Sequence, residues 1–319
     1  TRCNSHEEMW QYDMSSDLWT PLLSQTQANQ SGYPRGVCLP SAMYDPRRKV
    51  VWVTGGAERA AVTDYYSGLV SGGIWAFDPV ARSWSREGPT AQQGESSNVN
   101  VAEIEYGLYD PVRDQLVIPS RNGGSGEQIV RYNLAGVTVR DGVQNDNWST
   151  ENAAINEPVM AQTPLVYDST RDVAWFYNVC EGGTPCLNPS KLWTYNLQTK
   201  VWTLINTNSI VPNKSTFGMA YVPTIDSIVI FGGLNKAESA PGTTYINELW
   251  IYDIQRNQWS KPVLGGAIPT PRKGENMVYD SHNNALMIFG GTGGFQSVGV
   301  PDSSGYEGTE VFLLRLSNN

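Results

Sequence analysis

Ile228-Val229-Ile230-Phe231-Gly232-Gly233, a loop, Asn247-Glu248-Leu249-Trp250-Ile251-Tyr252-Asp253 and then Trp259 form the stretch from which the fold is read. The first run is β-branched and aromatic, long enough for a strand and too short for a helix. A glycine pair closes it, and glycine accepts left-handed backbone that other residues resist. The second run ends in Tyr252-Asp253, where an aspartate side chain can bond backbone amides two residues on and reverse the chain. Trp259 follows on the return strand, so Leu249 to Trp259 reads as a hairpin.

Working outward, the same elements recur along the chain. An aromatic residue followed by Asp or Asn stands at Tyr12-Asp13, Tyr44-Asp45, Phe77-Asp78, Tyr109-Asp110, Tyr132-Asn133, Tyr167-Asp168, Tyr195-Asn196 and Tyr279-Asp280. Pro46, Pro79 and Pro111 preset the turn dihedral after several of them. Paired glycines return at Gly55-Gly56 and Gly290-Gly291, with looser echoes at Gly123-Gly124 and Gly182-Gly183. Tryptophans follow alternate turns at Trp19, Trp84 and Trp202. Two kinds of hairpin therefore alternate, and almost no helix is expected.

These residues resemble the kelch repeat, a four-stranded β-propeller blade with a double glycine after its second strand and spaced Tyr and Trp further on. The resemblance covers nearly the whole chain, is most specific at Ile228 to Trp259, and is weakest at 95–150, where the strand after Tyr132 lacks a tryptophan at the expected place. It implies an all-β chain, residues 1–319, folded as a single propeller. The repeated Tyr, Trp and turn Asp residues are read as structural, because packing requires repetition in every blade and a single active site does not. The chain opens with a third and fourth strand, Glu8 to Asp13 and Leu18 to Leu23, and closes after a third strand, Glu310 to Leu316. Six blades, the first and last incomplete, are expected, with five as the alternative; some sequence is expected to be missing.

Strand parity places all the Asp turns on one face and the remaining connections on the other. That second face receives Ala57 to Gly73, Leu234 to Ile246, Thr292 to Gly308, the cysteine loop and the crossovers Gly88 to Ala102 and Val143 to Ala161. Long loops on a rigid scaffold are where binding normally sits. The candidate binding residues are Arg59, Tyr65, Tyr66, Glu95, Arg121, Trp148, Tyr245, Arg272, Phe295 and Tyr306. Aromatics with interspersed charge suit sugar stacking or a protein contact. Many kelch proteins open the first strand with Arg and then Gly-His. Pro271-Arg272-Lys273-Gly274-Glu275 keeps the arginine, Lys214 holds the comparable place one unit earlier, and the other units depart.

The net charge of −9 disfavours nucleic acid and anionic lipid as partners. No stretch approaches the apolar length that spans a bilayer, so no membrane insertion is expected. Cys180 and Cys186 enclose a Gly- and Pro-containing segment suited to a tight disulfide, leaving Cys3 and Cys38 as the second pair. Glycosylation acceptors stand at Asn29, Asn147 and Asn213, in stretches that read as loops. Together these favour a secreted or cell-surface protein whose leader has been removed.

Among secreted relatives, the copper radical oxidases hold their metal with two His and two Tyr. His6 and His282 are the only histidines here, so those ligands are missing and no cofactor or metal is expected. Glu95, Glu181 and Glu275 offer carboxylates for a glycosidase-like site near the axis without demonstrating that they converge. Gly290 to Gly294 follows a strand and lacks the Lys-Ser/Thr ending of a phosphate loop. The leading expectation is a binding module for a protein or glycan partner. A structural part of an extracellular assembly is the alternative, and a carbohydrate-active enzyme with an acidic axial site comes third.

Overall fold

The computed structural model describes residues 9–23, 37–38, 41–54, 57–58, 74–86, 106–122, 126–135, 148–151, 158, 164–178, 190–235, 244–293, 306–307 and 310–316. They form antiparallel blade sheets of a β-propeller, with no α-helix among the described residues. The chain divides into two compact units, Thr1–Met160 and Ala161–Asn319.

The first unit opens with a two-stranded sheet, Met9–Asp13 against Leu18–Leu23. Blade I pairs Ser41–Asp45, Val50–Thr54, Ile74–Asp78 and Ser83–Arg86 in that order. Blade II follows with Leu108–Asp110, Gln115–Asn122, Gly126–Asn133 and Trp148–Glu151. In the second unit, blade III is Leu165–Asp168, Val173–Asn178, Lys191–Asn196 and Trp202–Ile205. Blade IV is Gly218–Val222, Ser227–Phe231, Leu249–Asp253 and Gln258–Ser260. Blade V pairs Arg272–Asp280 with Ala285–Gly293, whose other edge takes Val311–Arg315 and, toward Gly293, Tyr306–Glu307. Five four-stranded sheets result, so the blade count is five, the second of the two readings from sequence. The opening hairpin that argued for a sixth stands as a sheet of its own two strands.

Period-two alternation explains why the blade IV strands read as unbroken apolar runs. Met219, Tyr221, Ile228 and Ile230 pack on Trp175 and Tyr177 of blade III. Their neighbours Ala220, Val222, Val229 and Phe231 pack on Met277, Leu286 and Ile288 of blade V. A strand covered on both faces has no side left to be polar. In the first unit, Trp52 and Ile74 meet Leu116, Ile118, Val130 and Tyr132 in the same way.

In blades I, III and IV the fourth strand sets a tryptophan beside the aromatic that opens its turn. Trp84 lies 5.0 Å from Phe77, Trp202 4.7 Å from Tyr195 and Trp259 5.3 Å from Tyr252, with Trp19 5.0 Å from Tyr12 in the opening hairpin. Trp148 occupies the same place in blade II, directly opposite Tyr132 at 5.0 Å. The expectation of a blade II without this tryptophan is thereby corrected. An insertion between Asn133 and Trp148 had displaced it in sequence, not in space.

The turns follow one rule. The aspartate accepts amides from the residues two and three ahead, as Asp45 does from Arg47 (2.9 Å) and Arg48 (3.1 Å), and Asp168 from Thr170 (2.8 Å) and Arg171 (3.1 Å). The residue five after the aromatic is left-handed, with φ between 46° and 62° at Asp17, Lys49, Arg82, Asp114, Asp172, Lys200, Asp226, Asn257 and Asn284. Where that residue is acidic or Asn, the preceding tyrosine donates to it: Tyr109 to Asp114 (2.9 Å), Tyr252 to Asn257 (2.6 Å) and Tyr279 to Asn284 (2.9 Å).

Candidate interaction face

Within each unit, short β-ribbons extend the blades at the ends opposite the Asp turns. Lys214–Ser215, Leu234–Asn235 and Thr244–Tyr245 form a three-stranded sheet beside blade IV. Val37–Cys38 pairs with Ala57–Glu58 beside blade I, and Thr292-Gly293 with Tyr306–Glu307 on blade V. Two-residue strands carry too little periodicity to be read from sequence, so these loop roots were missed.

The Gly232-Gly233 pair lies at the same level, and its geometry shows why both residues must be glycine. Gly232 and Gly233 have φ of 67° and 91°. A Cβ on Gly233 would lie 2.6 Å from the Ser215 carbonyl oxygen, and one on Gly232 would lie 2.3 Å from Glu275 Oε1. Gly233 donates its amide to the Arg272 carbonyl at 2.8 Å, and Gly274 donates to the Thr216 carbonyl at 2.8 Å, so backbone stitches blade IV to blade V here.

Around these stitches sits a set of charged side chains. Arg272, 1% exposed, donates from Nε to the Thr270 carbonyl (3.1 Å), from Nη1 to the Gly290 carbonyl (2.9 Å) and from Nη2 to Thr270 Oγ1 (3.0 Å). Its guanidinium also lies 5.2 Å from the Phe312 ring and reaches Glu310 at 3.4 Å. The sequence placed Arg272 among surface binding residues; the fold buries it, because its donors hold the ends of the first and second strands of blade V. Lys214 is likewise buried, 3.3 Å from Glu248 Oε2, and burial pushes its ammonium down to about 8. Glu248 takes Lys261 at 2.5 Å and the Trp250 indole N–H at 3.0 Å, and these bonds overcome burial to hold it at about 2. Glu248 and Lys261 were not singled out in the sequence, where only the neighbouring Trp250 marked the strand. Glu275 is buried with Oε1 accepting the Gly218 amide at 3.0 Å, and burial raises it to about 7.

The other expected site residues fall as follows. Tyr245 is half-buried in a ribbon with Lys273 Nζ 5.8 Å from its ring centre. Arg121 and Tyr306 lie in strands, opposite Glu127 and Gly293 respectively. Trp148, expected in a crossover loop, is a packed residue of blade II, as described above. Arg59, Tyr65, Tyr66, Glu95 and Phe295 lie outside the described residues, as do Glu181, Cys3, Cys180, Cys186, Asn29 and Asn147. Cys38 is in a ribbon strand, and no disulfide is present among the described residues. Asn213 is described: its Oδ1 accepts the Ser190 hydroxyl at 3.0 Å.

Repeated double-glycine blades with an aromatic pair at every second turn define the class, and the chain is a kelch-repeat β-propeller. Residues 167–306 match the family model described as the KLHDC2/KLHL20/DRC7 Kelch-repeats domain. The Rho GTPase-activating protein gacHH of Dictyostelium discoideum is 41% identical over 63 residues, which are 20% of this chain and 4% of that protein. The human Rab9 effector protein with kelch motifs is 26% identical over 137 residues, 43% of this chain and 35% of the relative. The chain thus spans well under two thirds of these relatives. The solved structure of YjhT shares the fold, with a TM-score of 0.62 at 12% identity, covering 98% of this chain and 89% of that one. Kelch propellers generally act as protein-interaction modules.

Proposed function

We propose that this propeller binds a protein or glycan partner through the long-loop face, in an extracellular or cell-surface setting. The observation that carries the reading is the contrast between the faces. On the turn face, the Asp carboxylates and tyrosine hydroxyls are spent on the turns themselves. On the other face, β-ribbons support loops far longer than a turn requires. The kelch-containing Rab9 effector, whose name states a protein partner, supports the protein reading. The even cysteines and the three glycosylation acceptors support the secretory setting.

The test is a glycan array and a surface pull-down with the wild-type chain and a Tyr65→Ala/Tyr66→Ala variant. Roughly tenfold weaker binding with an unchanged melting temperature is the expected result. Equal loss of binding and stability would remove the face-specific reading. Peptide mapping of the protein expressed through a secretory host, for sugar at Asn29 and Asn147 and for a Cys180–Cys186 bridge, tests the setting.

A further inference from the structure

Among the described residues of the second unit, Glu275 is a buried carboxylate whose charge is left undersupplied. Its side chain reaches from the first strand of blade V into blade IV, where Oε1 takes the Gly218 amide at 3.0 Å. Oε2 has no hydrogen-bond partner among the described residues. An ionised carboxylate offers about four acceptor sites, and the amides of Gly218 and of Glu275 itself are the donors that reach it, leaving Oε2 unfilled. The charged groups facing it are Lys214 and Arg272. Neither hydrogen-bonds Glu275: Lys214 acts on it only through its charge and pairs with Glu248 at 3.3 Å, and Arg272 is spent on Thr270, Gly290 and Glu310. Strand Gly218–Val222, packed against Glu275, brings no Asp, Glu, Lys or Arg.

The position gives that group leverage. Its carboxyl lies against Gly232, whose neighbour Gly233 bonds Arg272, and Glu275 itself follows Gly274, which bonds Thr216; these are backbone bonds that join blades IV and V. Gly233 also accepts the Ile246 amide at 3.1 Å, and Ile246 accepts the Arg272 amide at 3.2 Å, so the same stitches anchor both ends of the 234–246 loop.

We propose that Glu275 is a proton-sensitive latch between blades IV and V, closed while its carboxyl is neutral and loosened when it ionises, which frees the root of the 234–246 loop. The inference does not depend on what the loop face binds. Burial favours the neutral acid, so the folded chain holds a proton that the unfolded chain releases near the ordinary carboxylate range. The native state then binds more protons across the window from about 4.5 to about 7, and stability falls as pH rises through it.

The test uses the full chain, wild type and Glu275→Gln, melted from about pH 5 to about pH 9. The variant should match wild type within about 1 °C at the acid end and exceed it by at least about 3 °C at the alkaline end. In wild type at the alkaline end, amides 216–218 and 232–234 should exchange roughly tenfold faster than in the variant, after correction for intrinsic rates. Parallel melting curves, or a variant weaker at alkaline pH, would overturn the latch. If Glu275→Gln does not fold, carbon-13 NMR of the wild-type glutamate carboxyls decides. A Glu275 midpoint above about pH 6 supports the proposal, and one at or below that value overturns it.

Discussion

Arg171 and Asp226 form a two-pronged ion pair, with Nη1 to Oδ1 at 2.7 Å and Nη2 to Oδ2 at 2.6 Å, that ties the first turn of blade III to the first turn of blade IV. Nη1 also donates to Asp168 at 2.9 Å, within its own turn. Arg48 repeats the arrangement in the first unit, bridging Asp45 of blade I to Asp114 of blade II through bonds of 2.8, 2.7 and 2.8 Å. A turn residue thus fastens neighbouring blades as well as its own hairpin.

Removing that fork should cost stability, and lysine should not restore it. Arg171 is one-third exposed, so solvent screens part of the attraction, and Arg171→Ala is expected to lose roughly 1–2 kcal/mol in urea unfolding. Arg171→Lys keeps the charge but loses the planar two-pronged geometry, and should recover less than about half of the loss.

The acid limb of stability follows from the same pairs. Hydrogen bonds from Arg48 hold Asp114 below the usual carboxylate range, and those from Arg171 hold Asp226 there. Asp45, despite burial, is lowered by Arg48 and the Trp52 indole. A native value below the unfolded one means the stabilisation is complete above about pH 4 and is lost as pH falls through the lowered values. Asp114→Asn should therefore melt below wild type at neutral pH, by several degrees, and show a shallower decline on acidification. This trend opposes that of Glu275, so the melting temperature should peak near pH 4.5.

The fold was legible because kelch packing repeats its chemistry in single residues. Gly-Gly pairs, Tyr-Asp turns and the following Trp each mark a strand end, and each was found where the sequence placed it in blade IV. Legibility failed where spacing broke: the insertion ahead of Trp148 hid the last strand of blade II. The site was less legible for a different reason. Whether Arg272 points to solvent or into Thr270 and Gly290 depends on contacts between strands about twenty residues apart, which no local pattern records. Glu275 appeared as one of three candidate acids, while its burial between two blades is a tertiary property.

The glycine pairs should not be equivalent to substitution. Gly233→Ala puts a methyl 2.6 Å from the Ser215 carbonyl and 2.9 Å from Phe217 Cβ, at a φ of 91°. Gly290 has a φ of 69° with open space where a Cβ would go. Gly290→Ala should thus cost only the left-handed penalty of about 1 kcal/mol, and Gly233→Ala at least about 3 kcal/mol, in urea unfolding. Equal losses at the two positions would mean that backbone strain, and not close approach to Ser215 and Phe217, sets the requirement for glycine.

The turn rule also predicts a gain. Lys49 is exposed in the left-handed position five residues after Tyr44, where six of the other turns place Asp or Asn. Asparagine tolerates that backbone better than lysine. Its side-chain oxygen would meet the Tyr44 hydroxyl as Asn257 meets Tyr252 at 2.6 Å. Lys49→Asn should therefore stabilise the chain by roughly 0.5–1.5 kcal/mol, combining backbone relief with one new hydrogen bond. Arg82→Asn supplies the control, because Phe77 has no hydroxyl to offer, and should show the backbone part alone. Adding Tyr44→Phe to Lys49→Asn should reduce its gain to that of Arg82→Asn; an unchanged gain would assign the whole effect to the backbone.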